Sequence, residues 1–418
     1  MPPRKDHSPE PDPVDNIKFA KSIHQKITEG TNVPPEIITK FIDTALVDDD
    51  WRIISYGTKT LVLAIEDPHL ISPPNPGTLL PHLIEILASP PPLIKSHQTS
   101  YNTAQANALT ALVHFAPEDV STHAQVLQAT NKHPLSRQAA FKALGILDIP
   151  NAESILKERF ASRKEEPSTD KIIINALANR RSLAAVPELI DRLKLKYISN
   201  REDMIQALGF ILEVPPQAPS TDYDQQKKAA ANILLQEVLS ANSNDYALLA
   251  LDSLAQIGEI NTLKPLIDVL RQFSQYPNHF LTEGTTVIRL VNTVLSIMQI
   301  HNQDISSLAP ALGPLLIYSP NEFDTTKVFR TINALIDQLG HTHNPTALPL
   351  LISALESSAY DTHNRLSAAI VAIASATPEE KRDEIVELLS SPNSSIGPLR
   401  TVLYHIQDQW EAQDNPSR

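Results

Sequence analysis

The chain has 418 residues, with 48 acidic and 35 basic side chains, a net charge of -13 and no cysteine. A single core of that size would be unusually large, because cores stop growing near about 250 to 300 residues. The acidic balance opposes nucleic acid and anionic membrane over most of the surface. Without cysteine there are no disulfides, no thiolate nucleophile and no cysteine-bound zinc or iron-sulfur cluster.

Read from the start, Met1-Pro2-Pro3-Arg4-Lys5-Asp6-His7-Ser8-Pro9-Glu10-Pro11-Asp12-Pro13 is too polar for a secretory signal, and residues 1–14 are expected to be a disordered tail. From residue 15 to 410 apolar residues return at steps of three and four, as in Ile205, Leu208 and Leu212, or Val287, Val291, Val294 and Met298. That is helical period. Alternating segments bounded by hairpin dipeptides are missing, so the expected class is all-α. The spacing predicts a first helix near 15–29 and then ten pairs. These are 34–46 with 51–65, 78–89 with 100–116, 119–130 with 135–147, 150–163 with 169–178, and 182–195 with 201–213. They continue as 226–241 with 245–257, 260–273 with 282–299, 304–318 with 324–339, 345–357 with 362–375, and 378–390 with 394–409. Residues 411–418 are expected to be a second disordered tail. The apolar runs 308–318 and 366–376 are shorter than the roughly 20 residues a membrane span needs. A soluble, cytoplasmic protein with no membrane partner is therefore expected.

The first helices share a phrase, Pro-x-(Leu/Ile)-Ile, at Pro35, Pro81, Pro187, Pro314 and Pro349, with a shortened copy at Pro265. Proline is tolerated in a helix's first turn, where its missing N–H is no loss. The second helices share an aliphatic landmark at Leu112, Leu144, Leu177, Leu208, Leu254, Leu295, Leu335, Ile373 and Leu403. Small residues lie beside these landmarks, among them Ala108, Ala140, Ala176, Ala207 and Ala369, and small side chains let two helices approach closely. Internal repetition of this kind marks an α-solenoid, in which each unit touches only its neighbours. The proline-rich stretch 214–224 is a candidate sub-boundary.

An early proline in the first helix, an Asp or Asn in the turn, and Arg followed by Ala-x-x-Leu in the second helix resemble HEAT repeats of the armadillo-type superhelix. The resemblance covers roughly residues 30 to 410. The family's Asp-x5-Arg signature is matched by Asp324 to Arg330, and in relaxed form by Asn131 to Arg137 and Glu283 to Arg289. The resemblance implies that these six residues form a ladder of hydrogen bonds from one turn to the next. The fourth pair has no such signature, and in the last, Asn393 stands seven residues before Arg400.

Charge is uneven along the chain. Between Lys157 and Arg201 eleven basic residues face six acids, a local balance of +5. Lys157, Arg159, Arg163, Lys164, Arg180, Arg181, Lys194, Lys196 and Arg201 are the candidate partner-binding residues, set against the simpler reading of a solvated helix face. No phosphate-cradling glycine loop, hydrolase elbow or His-Glu dipeptide occurs. The missing dipeptide excludes similarity to the di-iron deoxyhypusine hydroxylases, which are also HEAT proteins. His341, His343, Asp361 and His363 resemble a ligand cluster, but a helix between them holds them on the order of 20 Å apart. No catalytic residue, metal site or cofactor is expected. The architecture points to a non-enzymatic scaffold that binds a protein partner along a concave groove lined by the second helices. The alternatives carried by resemblance are a nucleic-acid-binding, DNA-glycosylase-like protein using the 157–201 stretch, and an accessory factor similar to phycobilin lyases.

Overall fold

The computed structural model describes residues 13–30, 33–67, 76–195, 198–215, 221–240, 244–275, 284–317, 325–357, 360–390 and 397–414. Every regular element among them is a helix: α1 (Pro13–Thr28), α2 (Pro35–Leu46), α3 (Trp51–Glu66), α4 (Pro76–Ala88), α5 (Gln98–Phe115), α6 (Val120–Ala129) and α7 (Pro134–Leu144). Then come α8 (Ala152–Ser162), α9 (Pro167–Asn179), α10 (Val186–Leu193), α11 (Arg201–Leu212), α12 (Thr221–Ser240), α13 (Asn244–Ile257) and α14 (Leu263–Gln275). The series closes with α15 (Gly284–Ile300), α16 (Ala309–Leu316), α17 (Thr325–His341), α18 (Leu348–Ser357), α19 (Tyr360–Ser375), α20 (Arg382–Leu389) and α21 (Gly397–Asp414). The first helix and all ten pairs lie where the apolar period places them. The chain is an all-α solenoid-type repeat protein.

Contacts divide the chain into two compact units, Met1–Ala185 and Val186–Arg418. In the first unit α2 pairs with α3, α4 with α5, α6 with α7 and α8 with α9. The second members also pack on one another in chain order, α3 on α5 on α7 on α9, with α1 against α3. In the second unit the pairs run from α10 with α11 to α20 with α21, and α11, α13, α15, α17, α19 and α21 form the corresponding layer. The proline-rich 214–224 stretch lies inside this second unit; residues 216–220 are outside the described residues, and α12 begins at Thr221. At the ends, 1–12 and 415–418 are likewise outside them. Residues 13–14 and 411–414, which the sequence reading placed in the tails, are helical, since α1 starts at Pro13 and α21 continues to Asp414. Trp410, buried near the end of α21, donates its Nε1–H to the Ala374 carbonyl at 3.2 Å.

The landmarks fill the space between the layers. Leu112, Leu144, Leu177, Leu208, Leu254, Leu335 and Ile373 are fully buried and Leu295 nearly so. Each fully buried aliphatic of this size contributes on the order of 1.5–3 kcal/mol. Leu403 is only half-buried, and its neighbours Val402 and Ile406 take the core positions in α21. The proline phrase is less uniform than expected. Pro35 opens α2, whereas Pro81 and Pro314 stand inside α4 and α16. Each of those helices has an earlier proline in its first turn, Pro76 and Pro310, so the repeated phrase falls one turn later. Several first helices are entered through a 3-10 turn, at Ile260–Thr262, Ile305–Leu308, Pro345–Ala347 and Glu379–Lys381. Asp304 and Asn344 close two of these turns with side-chain oxygens on the N–H groups of Ser306 and Thr346.

Candidate partner-binding surface

Successive second helices approach closely because small residues meet where they cross. A Cβ added to Gly145 would stand 2.7 Å from the Ala176 Cα, and one added to Gly340 would stand 3.0 Å from the Ala369 Cβ. The first pair joins the end of α7 to α9 and the second joins α17 to α19. Ala176 and Ala369, among the small residues singled out in the sequence, thus mark contacts between neighbouring second helices. Hydroxyls bind the same layer: Ser253 of α13 donates to the Ile205 carbonyl of α11 at 2.9 Å, and Thr293 of α15 donates to the Leu251 carbonyl of α13 at 3.0 Å.

At the C-terminal end of this layer α19 and α21 enclose an open groove of about 740 Å3. Its walls carry His363, Asn364, Ser367 and Ser375 from α19 and Thr401, His405 and Gln409 from α21, over an apolar floor of Ala368, Val371, Ala372 and Val402. Ser375 donates to the Gln409 side-chain oxygen across the groove. The lining combines hydroxyl, amide and imidazole side chains with small apolar residues and includes no Asp, Glu, Lys or Arg. Among the described residues no three His, Asp or Glu side chains are grouped to hold a metal ion. Of the ligand-like cluster in the sequence, His343 faces the Ala372 carbonyl at 3.3 Å and His341 the Asp337 carbonyl at 2.6 Å, whereas His363 lines the groove.

The basic stretch is placed residue by residue within each unit. In the first unit Lys157 and Lys164 are exposed on and beside α8. Arg159 reaches the Asn131 side chain. Arg163 and Arg181 adopt positive φ, 54° and 50°, where α8 and α9 end. After Arg181 the Ser182 N–H returns to the Leu177 carbonyl, the C-terminal closure usually built on glycine. Arg180 points back to the end of α7 and donates to the carbonyls of Leu144 at 3.0 Å and Leu147 at 2.8 Å. In the second unit Lys194 pairs with Asp191 on the surface. Arg201 is largely buried: it donates to the carbonyls of Leu193 and Leu195 at the end of α10 and grips both oxygens of Glu237 in α12. Lys196 is outside the described residues.

Cations that satisfy a helix's last carbonyls recur through the chain. Lys132 donates to the Leu87 carbonyl at 3.1 Å, and burial holds its ammonium below the ordinary lysine range. These groups complete orphan carbonyls and oppose the negative end of the helix dipole. Of the expected ladder residues, Asn131, Arg137, Arg289 and Arg330 lie among the described residues. Arg137 of α7 pairs with Glu165 at 3.3 Å, and Arg289 of α15 with Asp252 of α13 at 2.8 Å. Asn131 accepts from Arg159. Glu283 and Asp324 are outside the described residues, and Arg330 is exposed on α17. Arg365 of α19 joins Asp337 of α17, a pair that no local spacing announces.

No family model matches the chain, and no curated protein matches it. Among solved structures, the N-terminus of TSC2 is similar over 91% of this chain and 94% of that chain, at 12% identity and a TM-score of 0.27. A likeness at that score carries no argument about the site. No helix among the described residues is long and apolar enough to cross a membrane.

Proposed function

We propose that the chain is a HEAT-repeat scaffold that binds a protein partner on the face of its second helices, without catalysing a reaction. The observation that carries the proposal is the continuous layer α11 to α21 in the second unit with its open groove at α19 and α21. A layered repeat of this type presents a long surface assembled from many units, and such surfaces serve binding. The groove offers hydrogen-bonding side chains on both walls, which matches the backbone groups of an extended segment of a partner protein. The 157–201 stretch contributes less than its charge suggests, because Arg180 and Arg201 spend their guanidinium groups on helix-end carbonyls and Glu237 within the fold, and Arg159 is engaged at the surface by Asn131. That engagement of its cations argues against a nucleic-acid binder, and no residue set supports a lyase-like role.

Photo-crosslinking amino acids placed at Ser367 and Thr401 should trap one protein from extracts of the native host. The same group at Ser353 and Glu387, exposed on first helices, should not. Equal trapping on both layers, or no protein adduct at the groove positions, would contradict the proposal.

A further inference from the structure

Three pairs in the first unit join their helices by turns of one length: residues 47–50 between α2 and α3, 130–133 between α6 and α7, and 163–166 between α8 and α9. Between α4 and α5 the connection is longer, residues 89–97, and its only regular element is the 3-10 turn Lys95–His97 at its end. The residues before that turn are Ser89-Pro90-Pro91-Pro92-Leu93-Ile94. The other pairs show that joining two such helices does not require them.

Their conformation follows from the prolines. Each ring holds its own φ near about -65°, and each proline keeps the residue before it extended, so 89, 90 and 91 are restricted as well. Those are the angles of a polyproline II strand, which makes no internal hydrogen bonds and leaves its carbonyls to water or a partner. Ile94 leaves the strand with φ -86° and ψ 111°, still extended. Both ends are fastened to the fold. Tyr101, edge-on to Trp51 with ring centroids 4.8 Å apart, donates its hydroxyl to the Ser89 carbonyl at 2.9 Å. Buried Gln105 donates to the Ile86 carbonyl at 3.0 Å and the Ser89 carbonyl at 3.4 Å. At the far end the His97 N–H returns to the Ile94 carbonyl at 3.0 Å. The strap is thus set in one conformation before anything binds it, which removes part of the ordering cost of association.

What the strap presents is apolar. Pro90 and Pro91 are exposed, Leu93 is 101% exposed and Ile94 57%. The fold gains nothing from an aliphatic side chain held wholly in water, since burial is what makes such a group stabilising.

We propose that residues 89–94 are a docking strap for a partner domain whose groove is walled by aromatic side chains. Trp and Tyr rings pack against successive prolines while their N–H and O–H groups reach the free carbonyls, and a preformed polyproline II strand is what such grooves take. Leu93 enters the apolar pocket beyond the rings. Lys95, exposed one residue past Ile94, faces an acid at the groove's end. The strap belongs to the first unit and the groove between α19 and α21 to the second, so the two proposals can fail independently.

Purified WW, SH3 and EVH1 domains, each titrated with the full chain and followed by fluorescence anisotropy, test this. At least one should bind with a Kd below about 100 µM, and decaproline, which fills the same aromatic groove, should displace the chain. The double variant P90A/P91A and Leu93→Ala should each weaken that binding at least about tenfold. Neither should alter the circular dichroism spectrum, because the side chains removed lie in solvent. Val120→Ala, which trims an aliphatic side chain 79% exposed at the start of α6, should change the Kd by less than about twofold. Absence of binding by every domain at about 100 µM would overturn the proposal. So would failure of decaproline to compete, strap variants that bind like the parent, or a Val120 variant weakened as much as they are.

Discussion

Replacing Arg201 should cost more than any other substitution in the basic stretch. Its side chain is 15% exposed and that of Glu237 9% exposed. The guanidinium joins three helices: it starts α11, satisfies the Leu193 and Leu195 carbonyls of α10, each at 2.9 Å, and pairs with Glu237 of α12. In Arg201→Met the stem still packs, but a largely buried carboxylate loses its cation and two carbonyls lose their donor. Breaking a buried pair from one side costs about 3–5 kcal/mol, much of it from the charge left behind. Glu237→Leu should cost less, about 1–3 kcal/mol, because the guanidinium keeps both carbonyls. The double variant should fall well short of the summed losses, since it leaves no unpaired charge. Hydrogen exchange of the α11 and α12 amides reads this without requiring the whole repeat chain to unfold in one step. A loss of 3–5 kcal/mol corresponds to exchange about 150- to 4,000-fold faster wherever opening of these helices controls it. If Arg201→Met changed exchange by less than about fivefold, or if the two single losses simply added, Arg201 would be a surface residue free for a partner.

Three further outcomes follow from local geometry. Gly145→Ala should destabilise the first unit by about 1–3 kcal/mol in urea unfolding, because the new Cβ meets the Ala176 backbone. Glycine has no conformational advantage here, as φ at Gly145 is -73°, so stabilisation by alanine would show that α7 and α9 do not touch. The second concerns Asp50, which caps α3 and whose hydrogen bond from Arg52, ahead of the other causes, holds its carboxyl below the usual range. Its contribution is present above the unfolded value of about 3.9 and is lost as pH falls through the lower folded value. Asp50→Asn should therefore cost a few tenths to about 1 kcal/mol at pH 7 and little at pH 2.5, and a pH-independent difference would contradict this. The third is His24, whose pKa is lowered by burial first and by Lys59 second. The unfolded chain takes the proton first, so stability falls as pH drops below about 6.5 toward the lower folded value. His24→Gln should flatten that dependence between pH 7.5 and 5.5, and parallel pH profiles for the two proteins would refute the assignment.

Helices were legible from the sequence because an amphipathic stripe is a local signal. The fully buried Leu208 or Leu254 announces its own face through the apolar residues three and four positions away. What lies between helices was not legible. Asp337 and Arg365 are 28 residues apart, Asp252 and Arg289 37, and Ser253 reaches a carbonyl 48 residues back. A search for acid and arginine at fixed short spacing finds Arg289 but not its partner Asp252 on the preceding second helix. The basic stretch shows the same limit in a sharper form. Net charge registers Arg180 and Arg201 as positive, but only the fold shows that one ends α7 and that the other ties α10, α11 and α12 together. The groove side chains were hidden for the opposite reason. Ser367, Thr401 and Gln409 are ordinary polar residues on a helix face, and nothing in their order marks them until α19 and α21 bring them to one groove. In a repeat protein the residues that build the array recur and can be counted. Those that bind need not recur, so a partner surface has to be sought where the stacked helices leave space open rather than where the sequence repeats itself.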